Sequence, residues 1–451
     1  MAPQEIDLIP FFFIILSFVS CSLQDIPLNK YVEEASQFGS QAYASYFDMI
    51  DDGGNFSKDL IKQSSDVLSL KSFDKVDGNS ASVNVNDFGA EGDGETDDTE
   101  AFEKAWKVAC SSNDEAVLVV PEKIYHLKPI RFSGPCKSEV TVQILGTLKA
   151  SDNRPDFGQD GRHWLVFDTV RNLLVEGGGV INGNGEQWWQ NSCKINKSKP
   201  CKDAPTALIF QKCKNLRVNN LNIQDAQQIH VSFQKCMNVQ ASNLSIIAPE
   251  KSPNTDGIHV TDTQNILITN SVIATGDDCL SIVNGCEKVQ ATNITCGPGH
   301  GISIGSLGSR NSKAYVSEIT VNGAVFSGTT NGVRIKTWQG GSGSASNITF
   351  ENIEMHNVSN PIIIDQNYCD RKPCKEQRSA VQVENVVYKN ISGTSASDVA
   401  IKFDCSKSFP CKGIVLQGIN LQREGGKAAK ASCNHVNVNS IGDVSPLCHY
   451  S

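Results

Sequence analysis

The 451-residue sequence has no surplus of positive charge, no CxxC pair and few histidines, only eight and scattered. The first absence argues against a broad nucleic-acid-binding face. The second and third leave no convincing zinc spacing, and no metal or cofactor is expected. Beyond residue 20 no run is long and apolar enough to cross a bilayer. No region is low in complexity, aromatic residues make up 7% and charged residues 20%, an ordinary globular composition. From about residue 170 onward helical periodicity is nearly absent, and so is the tight-turn chemistry of consecutive hairpins.

What is present begins with "IPFFFIILSFVS" at 9–20, a short apolar run followed by small residues. It is too short for a membrane span and reads as a secretory signal peptide, residues 1–22, despite an acidic leading segment. Residues 23–80, polar and turn-rich, read as a pro-segment, leaving 81–451 as one domain. The formal charge of −9 is concentrated at the start: residues 1–78 hold 5 Lys/Arg against 12 Asp/Glu, so the body is nearly neutral. Secretion accounts for the cysteines. Cleavage after Ser22 removes Cys21 from a total of 16, so at least one thiol is left without a partner. Local pairs Cys193/Cys201, Cys279/Cys296, Cys369/Cys374, Cys405/Cys411 and Cys433/Cys448 are expected. Cys286 is the candidate free thiol, and Cys213 and Cys236 are either paired or packed inside. Seven N-x-S/T sequons, at Asn55, Asn196, Asn243, Asn293, Asn347, Asn357 and Asn390, fit a glycosylated secreted surface.

The chain then repeats. Windows starting at 173, 216, 239, 266, 289, 319, 348, 386 and 414 share the pattern apolar-x-apolar-x-(Asn/Gly)-apolar, as in "LRVNNLNI" and "VQASNLSI". Such short runs suggest rungs of a β-solenoid, each burying its inner side chains only against its neighbours. Asn at a repeated turn can ladder between rungs or adopt a left-handed bend. A helix near 100–110, beginning at Asp97–Asp98, is placed to cap the first rung, and the Cys-rich tail the last. A propeller or sandwich fits the irregular steps less well.

The repeat gives meaning to "ATGDDCLSI" at 274–282, where two acids adjoin. "SPNTDGIHV" (252–260) lies one step earlier and "GPGHGISIGS" (297–306) one step later, with "NGVRIKTW" (331–338) beyond. Rung spacing can gather Asp256, Asp277, Asp278, His300, Arg334 and Lys336 on one face. Hydrolysis of a glycosidic bond needs a protonated carboxyl on the leaving oxygen and a carboxylate acting from the other side, and crowding raises one carboxyl's pKa. Adjacent residues of a strand point oppositely, so a turn is needed to bring Asp277 and Asp278 together. The same cluster would also suit a cation, and each motif alone is a plausible solvated turn.

In this order "NTDGIHV", "GDDC", "GHGISIGS" and "RIK" resemble the four signature blocks of polygalacturonases, glycoside hydrolase family 28. The likeness runs from about Val83 to the C-terminus and is strongest to the plant enzymes of ripening fruit. It implies an all-β, right-handed parallel β-helix with a short N-terminal capping helix. It also implies inverting hydrolysis of α-1,4-linked galacturonan by a secreted cell-wall enzyme. By motif, Asp277 would be the general acid and Asp256 and Asp278 would activate water. His300 would orient the acid, Arg334 and Lys336 would grip galacturonate carboxylates, Asn254 would line the cleft, and Tyr368 in "IIIDQNYC" would lie near the reacting sugar. The expected partner is homogalacturonan, with no nucleic acid, no membrane after signal removal, and a monomeric, endo-acting enzyme. An exo-acting pectin hydrolase, a pectate lyase on a similar coil and a non-catalytic pectin binder remain the alternatives.

Overall fold

The structure, a computed structural model, describes residues 80–158, 161–201, 204–369, 375 and 377–448. The expected signal peptide lies outside the described residues, as does the expected pro-segment apart from Ser80.

The described chain is a right-handed parallel β-helix. Its strands form one parallel sheet of 19 strands, with a single antiparallel pairing at its end, and a second, wholly parallel sheet of 11. The repeat windows stack with the register read from the sequence. Leu173 pairs Leu216, which pairs Val239, then Ile266, Val289, Ile319, Ile348, Val386 and Ile414. A tenth position, Val438, continues the column beyond the last window. Each of these apolar residues is buried, because alternate side chains of a rung point into the coil and meet only their counterparts above and below. In the smaller sheet Phe132, Phe167, Phe210 and Phe233 stack ring on ring, with centroids 4.8, 5.4 and 5.4 Å apart.

The asparagines do both things expected of them. Asn172, Asn215, Asn238 and Asn265 all hold φ between 53 and 57° and donate amide to amide at 2.9, 3.0 and 2.9 Å. These bonds run between identical groups on successive rungs, so they pin the register at the corner of the coil.

Helix Thr99–Ser111 closes the first rung, burying Ala101, Phe102, Ala105, Trp106 and Ala109. Trp106 meets Phe132 and Phe167 edge-on and donates Nε1–H to the Ser133 carbonyl at 3.1 Å. Residues 430–445 supply the last rung, tied by Cys433–Cys448. The disulfides Cys193–Cys201, Cys279–Cys296 and Cys405–Cys411 form as expected. Cys369 is disulfide-bonded, and its expected partner Cys374 lies outside the described residues. Cys110–Cys136, which joins the capping helix to the segment after the second rung's strands, escaped the sequence reading. Its 26-residue separation made it indistinguishable from a rung step. Cys286 is free, but so are Cys213 and Cys236, which are packed in the core unpaired.

Cys279–Cys296 closes a 17-residue loop directly behind the acidic pair, with both residues fully buried. Replacing both by serine should cost roughly 3 kcal/mol from loop entropy, with a further loss from two buried hydroxyls. Thermal unfolding measures it, and a variant that melts like the parent would show that the crosslink does not stabilise this turn.

Candidate active site

The turns that enter the smaller sheet carry the site. Asn254 and Asp256 precede strand Ile258–Thr261, Asp277 and Asp278 precede Leu280–Ile282, His300 precedes Ile302–Leu307, and Arg334 and Lys336 lie on Asn331–Trp338. The Gly257 amide donates to the Asp278 carbonyl and the His300 amide to the Asp277 carbonyl, at 2.9 and 2.8 Å. Backbone ladder bonds therefore set these turns on successive rungs. Gly276 is required by contact rather than by conformation: a Cβ there would sit 1.9 Å from the Ser252 carbonyl oxygen. That close approach lets the chain turn so that Asp277 and Asp278 serve one site.

Asp278 is buried, 2% exposed, and surrounded by donors. Arg334 Nη2 and the Ser303 hydroxyl donate to Oδ1 at 2.7 and 2.8 Å, and Lys336 Nζ to Oδ2 at 2.8 Å. Two cations on one carboxylate offset the desolvation that a buried charge suffers. Arg334 and Lys336 thus both have Asp278 as a partner within the site. Their side chains keep 14% and 10% exposure. Lys336 Nζ also lies 5.5 Å over the Tyr368 ring, and Tyr368 packs edge-on against Trp338 at 5.3 Å.

Asp277 faces differently. Its Oδ1 meets His300 Nδ1 at 3.0 Å and accepts from the Asp278 amide at 2.8 Å, while Oδ2 accepts from Asn254 Nδ2 at 3.2 Å. Burial works to raise its pKa. The His300 hydrogen bond and charge, Lys336 and the amide outweigh it, and the net shift is downward. Asp256 moves the other way. Burial and the neighbouring Asp277 and Asp278 hold it well above the ordinary carboxyl value. All eight residues expected from the sequence therefore meet at one place.

Three further residues escaped the sequence reading. His259, Ser281, Ser303 and Arg334 occupy one register column. The His259 Nδ1–Ser281 Oγ contact is 2.7 Å, and Ser281 donates to Asp256 Oδ2 at 2.8 Å. One rung on, Arg334 Nε donates to Ser303 Oγ at 3.0 Å, and Ser303 donates to Asp278. Two matching hydroxyl relays thus orient two carboxylates. The signal lay in the middle letters of "IHV", "LSI", "ISI" and "VRI" (258–260, 280–282, 302–304, 333–335), polar residues facing outward between two core positions.

Oxygens of Asp277 and Asp278 and a nitrogen of His300 lie within 4.8 Å of one another, a spacing a cation could use. Arg334 and Lys336 already occupy both oxygens of Asp278, so a metal ion would have to displace a matched positive charge.

Residues 110–442 match the family model described as glycosyl hydrolases family 28. The chain belongs to glycosyl hydrolases family 28. Family 28 relatives include a polygalacturonase of Malus domestica, 56% identical with 97% of each chain covered, and polygalacturonase-2 of Solanum lycopersicum, 60% identical with 87% of each covered. Among solved structures, an endo-xylogalacturonan hydrolase from Aspergillus tubingensis is 25% identical, with a TM-score of 0.69 over 81% of this chain and 100% of its own. A polygalacturonase from Erwinia carotovora shares the fold at TM-score 0.65 and 22% identity, over 81% and 98%. As a family 28 member this protein is a glycoside hydrolase.

Behind the site two imidazoles are held neutral. Burial lowers both His230 and His259 to about 4. His230 Nδ1 contacts the Asp256 carbonyl at 3.0 Å. A histidine depressed in the fold takes up its proton only on unfolding, so its contribution is intact above pH 6.5 and is lost as pH falls toward 4. His230 should therefore cost the fold roughly 3 kcal/mol over that interval. Melting temperatures from pH 7 to 4 should fall less steeply for His230→Gln than for the parent. Parallel slopes would show that His230 does not titrate on unfolding.

Proposed function

We propose that this protein hydrolyses α-1,4-galacturonosyl linkages of de-esterified homogalacturonan with inversion, cutting within the chain. The observation that carries this reading is the convergence of three carboxylates with His300, Arg334 and Lys336 on register-stacked rungs. A polyanion needs cations to hold it, and glycosidic cleavage needs carboxyls in different protonation states.

Asp278 accepts three charged or hydroxyl hydrogen bonds and serves as an acceptor-only carboxylate, suited to polarising water. Asp256 and Asp277 share the mobile proton as a coupled pair. In the empty site the proton favours Asp256, while His300 keeps Asp277 charged. A uronate settling beside His300 adds negative charge and competes for the imidazole, which raises Asp277. The proton then passes to Asp277, which delivers it to the glycosidic oxygen, and Asp256 joins Asp278 in activating the attacking water. Arg334 and Lys336 share their remaining donors with a sugar carboxylate, and Tyr368 and Asn254 border the reacting sugar.

In this reading residues 1–22 direct secretion, 23–80 form a removable pro-segment, and the monomeric enzyme acts in the cell wall. Among the described residues no helix is long and apolar enough to cross a membrane.

Asp277→Asn should lower the release of reducing ends from polygalacturonic acid by 10²–10⁴-fold, the order general acid catalysis supplies, with an unchanged melting temperature. Full activity in that variant would remove Asp277 from the mechanism. Early products from the parent should be mixed oligomers without ultraviolet absorbance. Unsaturated products that require calcium would replace hydrolysis with lyase chemistry.

A further inference from the structure

The two hydroxyl relays beside the acids differ in their outer member. At Asp278 that member is Arg334. A guanidinium donates at every nitrogen, accepts at none and keeps its charge. The chain from Arg334 Nε through Ser303 Oγ to Asp278 Oδ1, at 3.0 and 2.8 Å, therefore runs in one direction only. At Asp256 the outer member is His259. A neutral imidazole donates from one nitrogen and accepts at the other, and either nitrogen can hold the proton. The chain of His259 Nδ1, Ser281 Oγ and Asp256 Oδ2, at 2.7 and 2.8 Å, therefore runs either way. With Asp256 charged, His259 Nδ1–H donates to Ser281, and Ser281 donates to the carboxylate. With Asp256 protonated, its O–H donates to Ser281, Ser281 donates to His259 Nδ1, and the imidazole proton sits on Nε2.

The surroundings leave the chain one open end. Ser281 is 2% exposed, which keeps water from replacing either of its partners. Ser232, the next residue down the column from His259, accepts from Gln234 instead, so the chain stops at the imidazole. His259 Nε2 makes no hydrogen bond among the described residues, yet it is not one of the polar atoms sealed from solvent. Asp278 and Lys336 act on the ring with opposite signs, and burial keeps it uncharged. Asp256 in turn faces Asp277, Asp278 and Lys336, with His230 against its carbonyl. Among the described residues no hydrogen bond joins Asp256 to Asp277, whose oxygens meet His300, the Asp278 amide and Asn254. A proton on Asp256 thus has a bonded path through Ser281 and none directly to Asp277.

We propose that Ser281 and His259 form the path by which Asp256 gives up its proton to solvent water when substrate binds. One proton enters the chain and one leaves it. The Asp256 Oδ2–H bond breaks as Ser281 Oγ takes that proton, the Ser281 proton passes to His259 Nδ1, and the Nε2 proton goes to water. Asp256 ends as a carboxylate, while Ser281 and His259 stay neutral and His259 has changed tautomer. Water then supplies the proton that Asp277 takes up. The assignment rests on the hydrolase reading above, in which Asp256 must change its charge within each cycle. Both residues act through Asp256, and Asp278, on its one-way chain, keeps its charge throughout.

Nitrogen NMR of protein labelled at histidine reads the tautomer directly and needs no turnover. From about pH 8 to about pH 5 the parent's His259 should pass from Nδ1–H to Nε2–H while remaining uncharged, and Asp256→Asn should abolish the change. On polygalacturonic acid, His259→Ala should lower kcat about a hundredfold, the low end of what proton transfer supplies, with KM unchanged. Added imidazole should restore part of that rate. N-methylimidazole, which fills the same space but cannot pass a proton from one nitrogen to the other, should not. Ser281→Thr, which keeps the hydroxyl, should retain the activity that Ser281→Ala loses. One tautomer across the pH range in the parent would overturn the proposal, as would a parent-like kcat in His259→Ala or equal rescue by both imidazoles. A tautomer that follows Asp256 in a parent releasing no reducing ends would sink the hydrolase reading and leave the reversible relay standing.

Discussion

Parallel strands stacked about 4.8 Å apart leave a side chain very little freedom along the coil axis. A residue's height is set by its rung, and its face by whether its position in the strand is odd or even. Here that constraint does most of the work of building the site. Asp256, the Asp277–Asp278 pair and His300 come from three successive turns, and ladder bonds between those turns hold them at fixed separations. The same constraint places Ser281 and Ser303 one above the other, each with a basic or imidazole side chain beside it in the column and a carboxylate within reach. Displacing one rung would move every partner together, which is why the asparagine ladders and the stacked phenylalanines matter to chemistry that neither touches.

Three carboxylates in one place create an electrostatic problem that the fold resolves unevenly. Asp278 is matched by two cations, Asp277 by an imidazole and an asparagine, and Asp256, among the described residues, by a serine hydroxyl and the more distant Lys336 charge. Unequal compensation separates their affinities for a proton, raising Asp256 and lowering Asp277. The neutral, buried His259 completes the scheme, because an uncharged imidazole can orient Ser281 without adding a third cation. Carboxyls whose affinities for a proton are pushed apart, beside partly exposed basic groups, are the set that the proposed cleavage of an anionic glycan would use.

The cysteines divide along the same lines. Cys279–Cys296 lies behind the acidic turn, and Cys110–Cys136 and Cys433–Cys448 fasten the two ends, where a solenoid otherwise exposes unpaired rungs. Cys213, Cys236 and Cys286 sit at inward positions among Ile, Val and Phe, where a thiol fills space as a small apolar group.

The sequence alone determined the coil, its register and which acidic, imidazole and basic residues gather on one face. The repeat windows predict the column from Leu173 to Ile414 residue for residue, because inward positions in stacked rungs must all be apolar and must all align. The rung-length gaps from Asp256 to Asp278 to His300 show that these residues share a face. Only the tertiary structure decided what depends on side chains meeting across rungs of unequal length. It turned Arg334 and Lys336 onto Asp278, drew His259, Ser281 and Ser303 into the network, and joined Cys110 to Cys136. It also left the buried Gln227 amide without a partner among the described residues. Periodicity carries a residue's height and face, but the direction in which a side chain reaches depends on neighbours 20 to 60 residues away, and no local pattern records them.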